Sequence, residues 1–228
     1  GWGLNHPNVD FGTTEFLSGP ADPSYSRPTG LVKAHPQFLM MNPIRDFNED
    51  IPEAGGWWYL DREASYYNEL PYVKDPTYWV KEMVSSLGQR RRWNYALGLG
   101  PMIDGRLPSC FDPMMENMQR FMAWAGESIY NTMGGEGSAL NPGWWNDGAY
   151  GSITVSRTDP KTLYIHVTTA PSKNVLKVQN NGYPIASVVD LRTGLPVTYF
   201  DRGTLTLRDI DWADVRVFGD KVFKVTLA

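Results

Sequence analysis

Carboxylates and aromatic side chains are the residues of this sequence whose types and numbers could carry chemistry. The chain holds 25 Asp and Glu residues beside nine Trp, twelve Tyr and nine Phe. A pair of carboxyl groups can break a glycosidic bond, since one protonates the leaving oxygen while the other attacks the sugar or activates water. Candidates in the N-terminal part include Asp10, Glu15, Glu49, Asp50, Glu53, Asp61, Glu63 and Glu69. Most of these acids are expected to be surface charges, so composition alone does not select the pair.

Other reaction classes are disfavoured by the residues that the sequence lacks. The single cysteine, Cys110, has no basic partner close in sequence, and three histidines leave little scope for a metal site. Neither a glycine-rich phosphate loop nor a Gly-x-Ser-x-Gly segment is present. A net charge of −4 disfavours a nucleic-acid partner, and no apolar run reaches the about 18 residues of a membrane span. We therefore predict no metal, no organic cofactor, no nucleic acid and no membrane segment.

Three aromatic doublets could serve either the core or a sugar. They are Trp57-Trp58, Tyr66-Tyr67 and Trp144-Trp145. Aromatic rings bury large apolar areas in cores, and they are also enriched at binding surfaces. Core packing is the expectation for most of them, and the pattern alone does not decide which ones touch a ligand.

Two helices are predicted, each opened by an Asp-Pro pair. Asp75 and Asp112 are placed as N-caps, with a proline at the first helical position. Apolar residues recur at helical spacing up to Gly88 in the first helix and Gly126 in the second. The stripes are Trp79, Val80, Met83, Val84 and Leu87, and then Met114, Met115, Met118, Phe121, Met122 and Ala125. Between the helices, the apolar run Trp93–Pro101 predicts a buried strand, which together with the helices indicates an α/β layer or barrel.

A long Pro- and Gly-rich segment over residues 17–56 is predicted to be a loop, with a short element hidden around Gln37–Met41. Structureless stretches of this length in a compact domain are usually functional. We expect this one to shape a binding site or to form an oligomer contact.

The pattern changes near residue 141, where helical periodicity gives way to short alternating segments. These segments are Ile153–Ser156, Leu163–Thr168, Val175–Val178, Ala186–Asp190, Thr204–Leu207 and Val222–Leu227. Asp-Pro, Asn-Gly, Thr-Gly and Arg-Gly pairs between them are turn signals, so an antiparallel sandwich is predicted. His166 lies inside one predicted strand and is interpreted as structural. The predicted organisation is an α/β part over 1–140 and a β-sandwich over 150–228.

Several segments resemble, in the same order, the α-L-fucosidase family of glycoside hydrolases. The clearest is Asp10-Phe11-Gly12-Thr13-Thr14-Glu15-Phe16, which is similar to the family's Asp-aromatic-x-Thr-x-Glu-aromatic stretch. The other matching segments are Gly56–Tyr59, Asn94–Gly105, Gly126–Tyr130, Leu163–Val167 and Leu191–Gly194. Within them, Asp104 and Glu127 are interpreted as structural. Gly98 and Trp93 depart from the family pattern, where Asn and Gly are usual.

The resemblance implies a fold, a mechanism and three site residues. The fold would be the C-terminal portion of a (β/α) barrel followed by an antiparallel β-sandwich. The family's mechanism is retaining, with an Asp nucleophile and a Glu acid/base, and the resemblance places the acid/base on Glu15. Trp57 matches a position that packs on the fucose methyl group, and Trp58 would take that place if the register slips by one residue. The implied partner is a fucosylated or L-galactosylated glycan.

The family's nucleophile precedes the acid/base segment, and this sequence contains no counterpart of it. About 140 residues of α/β sequence are also too few for a complete barrel, which needs about 200 or more. We therefore expect the chain to be the C-terminal part of a longer polypeptide, or one piece of a nicked or two-chain enzyme. Its partner would be an upstream barrel segment.

Three alternatives to an α-L-fucosidase stay open at this stage. An α-L-galactosidase would share the chemistry and differ at C6 of the sugar, where the surroundings of Trp57 decide. A carbohydrate-binding protein without the nucleophile, or a structural subunit, would share only the scaffold. The substrate class favours an extracytoplasmic location, whether periplasmic, secreted or lysosomal.

Overall fold

The structure is a computed structural model that describes residues 12–14, 38–40, 75–88, 106, 109, 112–135 and 137–228. The strand predicted at Trp93–Pro101 and the interpretation of Cys110 and Asp104 lie outside these residues. The chain divides into two compact units, Gly1–Tyr72 with Arg92–Leu107, and Val73–Arg91 with Pro108–Ala228. The predicted domain boundaries at 140 and 150 stay a prediction.

In the first unit, the described residues form two short parallel strands. Strand β1 is Gly12–Thr14 and strand β2 is Phe38–Met40, with Thr13 opposite Leu39. β2 lies inside the segment where a short element is predicted. Parallel strands need a crossover connection between them, and the 23 residues from 15 to 37 are long enough to provide one.

The second unit opens with the two predicted helices. Helix α1 is Tyr78–Leu87 and helix α2 is Asp112–Ala125. Asp75 caps α1, because its Oδ1 accepts hydrogen bonds from the Thr77 amide at 2.7 Å and the Thr77 hydroxyl at 2.6 Å. These hydrogen bonds lower the pKa of Asp75. The apolar stripe of α1 is confirmed, since four of its members are buried: Trp79, Val80, Met83 and Val84.

The rest of the second unit is built from antiparallel strands, which confirms all six predicted segments. The strands are β3 Thr132–Gly134, β4 Gly143–Trp144, β5 Tyr150–Ser156, β6 Thr162–Thr169, β7 Val175–Gln179, β8 Ile185–Asp190, β9 Tyr199–Asp201, β10 Thr204–Arg208 and β11 Lys221–Leu227. A short helix α3, Ala213–Val217, precedes β11. The larger sheet has the order β3-β5-β6-β11-β8, with β4 also paired to β5, and the smaller sheet has the order β7-β10-β9.

Alternation along the strands explains how the two sheets pack. Ile153, Ile165 and Phe223 of the larger sheet lie in one apolar core with Leu176 and Leu205 of the smaller sheet. Each of these side chains is at most 1% exposed. This inter-sheet core is the arrangement of an antiparallel β-sandwich. The sandwich half of the predicted fold class is therefore confirmed.

Hydroxyl groups on β5 accommodate the C-terminal end of α1. The Val84 carbonyl in the last turn of α1 accepts two hydrogen bonds, from the Gly88 amide at 3.1 Å and from Ser152 Oγ at 2.7 Å. The Thr154 hydroxyl similarly donates to the Ser128 carbonyl at 2.8 Å, just beyond α2. Helices and sheet are thus held together by polar as well as apolar contacts.

Gly88 is expected to tolerate no side chain, because it lies against β5. A Cβ atom there would be 2.2 Å from Ser152 Cβ, whereas at Gly126 the nearest atoms would be 3.5 Å away on Tyr130. We predict that Gly88→Ala lowers the free energy of unfolding by about 1–3 kcal/mol, as overpacking does, while Gly126→Ala stays within about 0.5 kcal/mol. Urea unfolding of both variants checks this, and equal stabilities for the two would contradict it.

Within the described residues, neither of the longer helices combines the length and apolarity needed to cross a bilayer.

Candidate functional site

The predicted site residues Glu15, Trp57 and Trp58 lie outside the described residues. What the structure does describe is the strand that ends directly before Glu15 in sequence. β1 ends at Thr14 and runs parallel to β2, so the carboxyl ends of both strands lie on the same edge. In barrel enzymes the catalytic residues follow the carboxyl ends of parallel strands. Glu15 directly follows the carboxyl end of β1 in sequence, and its role as a site residue stays a prediction.

A buried histidine–aspartate pair lies on the face of the larger sheet that the helices approach. His166 Nδ1 and Asp220 Oδ2 are 2.6 Å apart, and both side chains are fully buried. His166 Nε2 is 3.1 Å from Thr154 Oγ1. The Thr154 hydroxyl lies within hydrogen-bond distance of both the Ser128 carbonyl and His166 Nε2. On the other side of the ring, Nδ1–H donates to the Asp220 carboxyl group.

This pair holds structure together and is closed to substrate. It joins β6 to the residue before β11, and through Thr154 and Ser128 to the end of α2. The interpretation of His166 as structural is confirmed.

A second buried cluster closes one end of the sandwich. Lys221 Nζ bonds Asp190 Oδ2 and lies 3.0 Å from Asp214 Oδ2, while Arg192 Nε is 2.8 Å from Asp214 Oδ1. Two carboxylates and two cations balance, and they tie β8, α3 and β11 together. Although two acids lie close here, each is engaged by a cation, so neither is available to protonate or attack a sugar.

Glu127, inside one of the segments that resemble the family, takes part in a surface contact. Its carboxylate oxygens are each 3.2 Å from Lys224 Nζ, which also lies 5.9 Å from the centre of the Tyr164 ring. Burial, followed by the charges of Glu127 and Asp159, raises the pKa of Tyr164 to about 12. These contacts fix a helix end to β11, as the structural interpretation of Glu127 requires.

One open groove of about 470 Å³ is lined by Asn174, Asp209, Ile210, Asp211, Trp212 and Arg216. Much of its polar wall is already engaged. Trp212 Nε1 donates to the Lys173 carbonyl at 3.0 Å, and Asp211 Oδ1 accepts from the Ala213 amide at 2.9 Å. Across the part of the chain that the structure describes, no three His, Cys, Asp or Glu side chains are placed to hold a metal ion.

The networks at Asp220 and Lys221 were not foreseen from the sequence. Asp220 is 54 residues from its histidine, and Lys221 is 31 residues from Asp190. The only available signal is that two charged residues, Asp220 and Lys221, stand at the start of an apolar strand. Lys221 is buried beside Asp190 at the end of β8 and Asp214 of α3, and Asp220 is buried beside His166.

The fold of this chain is similar to that of part of several solved α-L-fucosidases. An α-L-fucosidase of glycoside hydrolase family 29 from Bacteroides thetaiotaomicron, trapped as a covalent intermediate, matches with a TM-score of 0.66 over 83% of this chain at 16% identity. The α-fucosidase of Thermotoga maritima matches with a TM-score of 0.60 over 86% of this chain at 13% identity. α-L-Fucosidase isoenzyme 1 from Paenibacillus thiaminolyticus matches with a TM-score of 0.60 over 99% of this chain at 20% identity.

The match covers only part of each of these enzymes. The chain spans 43%, 47% and 59% of the three enzymes in turn. It corresponds to their C-terminal portion. No protein-family model matches the chain, and no curated protein sequence is similar to it. At these identities the likeness establishes the fold.

Proposed function

We propose that the protein is a retaining glycoside hydrolase that releases terminal α-L-fucose from glycans, with this chain supplying the acid/base. The observation that carries the proposal is the likeness to α-L-fucosidases over 83% of the chain with a TM-score of 0.66. A fold alone hosts many functions, so a residue-level argument is also needed. It comes from Glu15, which follows the carboxyl end of β1 in sequence and lies in the segment that resembles the family.

The proposed chemistry has two steps. In the first, a carboxylate nucleophile attacks C1 and forms a fucosyl ester while the C1–O glycosidic bond breaks, and Glu15 gives its proton to the departing oxygen so that the rest of the glycan leaves as an alcohol. In the second, Glu15, now ionised, takes a proton from water as the water oxygen attacks C1 and the ester bond breaks. The nucleophile is proposed to come from an upstream barrel segment, with the two carboxyl groups about 5–5.5 Å apart. No metal or organic cofactor takes part.

Trp57 is proposed to give the site its sugar preference, with Trp58 as the alternative. α-L-Fucose carries a methyl group at C6, and an indole face offers that group an apolar contact. L-Galactose adds a hydroxyl at the same carbon, which an apolar wall disfavours by about 10–100-fold. One solved fucosidase with this fold holds fucose itself. An extracytoplasmic location, where glycans are trimmed, completes the proposal.

The proposal is tested by the stereochemistry of the first product. The complete protein that carries this chain is incubated with an aryl α-L-fucoside, and the anomeric proton of the released sugar is followed by NMR. We expect α-L-fucose to appear first and the β anomer to follow by mutarotation. Release of β-L-fucose first would contradict the retaining mechanism, and absence of hydrolysis would contradict the enzyme itself.

A further inference from the structure

The most exposed large aromatic side chain among the described residues lies at the edge of the larger sheet. Trp144 is 76% exposed. On β4 it stands directly opposite Tyr150 of β5, with ring centres 4.9 Å apart and ring planes inclined by 54°. Thr169 of β6 pairs with Tyr150 on the other side and is also exposed. Cross-strand partners share a face of the sheet, so the row Trp144–Tyr150–Thr169 places the exposed indole of Trp144 and the exposed Thr169 hydroxyl on either side of the half-buried Tyr150 ring.

The hairpin that carries Trp144 is held rigidly. The neighbouring Trp145 donates from Nε1 to the Asn141 carbonyl at 2.9 Å and from its amide to the Ala149 carbonyl at 2.8 Å. The side-chain amide of Asn146 makes two hydrogen bonds to β7. Its nitrogen donates to the Val175 carbonyl at 3.0 Å, and its oxygen accepts from the Lys177 amide at 2.6 Å. Within the Trp-Trp doublet, the Trp145 side chain therefore anchors the hairpin, while the Trp144 side chain is exposed to solvent.

The area of the surface formed by Trp144 and Tyr150 limits the size of the partner that can bind it. A stable protein interface needs about 800 Å² from each partner, whereas a buried Trp or Tyr supplies about 150–250 Å². Elsewhere on the sandwich, exposed Phe200 already lies under the Arg208 guanidinium at 5.0 Å. The two rings match the apolar C–H face of one sugar ring in size, and they are too small an area for a second copy of the chain. Hydroxyl groups of the sugar would face Thr169 and the exposed Asp147 of the same hairpin.

We propose that Trp144 and Tyr150 form a secondary binding platform for one pyranose unit of the glycan, separate from the residues that cleave it. This inference rests on the proposed function for its ligand class. A galactose-type ring is the best fit, because its axial 4-hydroxyl leaves the C–H groups at C3, C4 and C5 together on one face. The rigid hairpin favours binding, since little side-chain freedom is lost when a sugar stacks.

The platform is tested by titrating the complete protein with methyl β-D-galactopyranoside, and the same titration of the variants below shows whether the binding depends on Trp144. Saturation-transfer NMR is expected to show binding in the millimolar range. Trp144→Ala should weaken it by about tenfold or more, and Trp144→Phe by less. Phe200→Ala, which removes another exposed ring of the sandwich, should leave it unchanged. Unfolding curves confirm that all variants are folded.

The outcomes separate this inference from the proposed function. Absence of binding by the unsubstituted protein, or equal binding by Trp144→Ala, overturns the platform. Hydrolysis of an aryl α-L-fucoside by the unsubstituted protein is measured on the same sample and reports on the proposed function alone. If hydrolysis is absent while binding depends on Trp144, the platform stands and the proposed function fails.

Discussion

Replacing Glu15 with glutamine is expected to lower the hydrolysis of a fucosylated oligosaccharide by about 10²–10⁴-fold, the range that positioned general acids contribute. A sugar leaving group needs a proton as the bond breaks, and an amide cannot supply it. An aryl fucoside with a nitrated phenol needs almost no protonation, so the formation of its fucosyl ester should be spared. Glu15→Gln should therefore show a burst of phenol followed by slow turnover.

The contrast between the two substrates carries the assignment of Glu15. The measurements are kcat/KM on each substrate, the burst, and the pH profile, which should lose its alkaline limb in the variant. Azide should accelerate the slow phase, because it attacks the fucosyl ester without needing a base. Glu49→Gln, a change at another acid of the same region, serves as the matched control. Equal losses on both substrates would show that Glu15 does something other than transfer protons.

The sandwich could be predicted from the sequence because local patterns decide it. Each strand alternates between the inter-sheet core and the opposite face, as with Ile153 and Ile165 on the core side. The turns between strands need left-handed backbone, and glycine provides it at Gly182, Gly194 and Gly203 with φ of 87°, 69° and 79°. Helix α1 could be predicted for the same reason, because its cap at Asp75 and its end at Gly88 each depend on residues close by in sequence.

Short elements and long-range partners escaped the sequence analysis for physical reasons. β3, β4 and α3 contain three, two and five residues, which is too short for a periodicity to show. β4 exists because it pairs with β5, and its pairing partner sets the exposure of Trp144. Glu15 was found from a resemblance, since a lone acid after a short strand looks like any loop carboxylate. The carboxylate nucleophile is proposed to lie in an upstream barrel segment, so no residue pattern in this chain can identify it.

Asp220→Ala is expected to cost about 1–3 kcal/mol in the free energy of unfolding, as loss of the partner of a buried hydrogen-bonding group does. The reason is that His166, whose side chain is fully buried, would keep an Nδ1–H without an acceptor. Urea unfolding at neutral pH measures the change. Glu116→Ala, which removes an exposed acid from α2, is the matched control and should stay within about 0.5 kcal/mol.

A double variant distinguishes loss of the pair from loss of packing. Adding His166→Leu to Asp220→Ala removes the donor that Asp220 had satisfied, while the Thr154 hydroxyl keeps its bond to the Ser128 carbonyl. The double variant should therefore lose less unfolding free energy than the two single variants lose in sum, by at least about 1 kcal/mol. If the two losses simply add, the pair contributes only volume to the sheet face. In that case the hydrogen bond between His166 and Asp220 adds nothing measurable to the stability, and the fit of the α2 end onto β5 rests on the hydroxyl contacts alone.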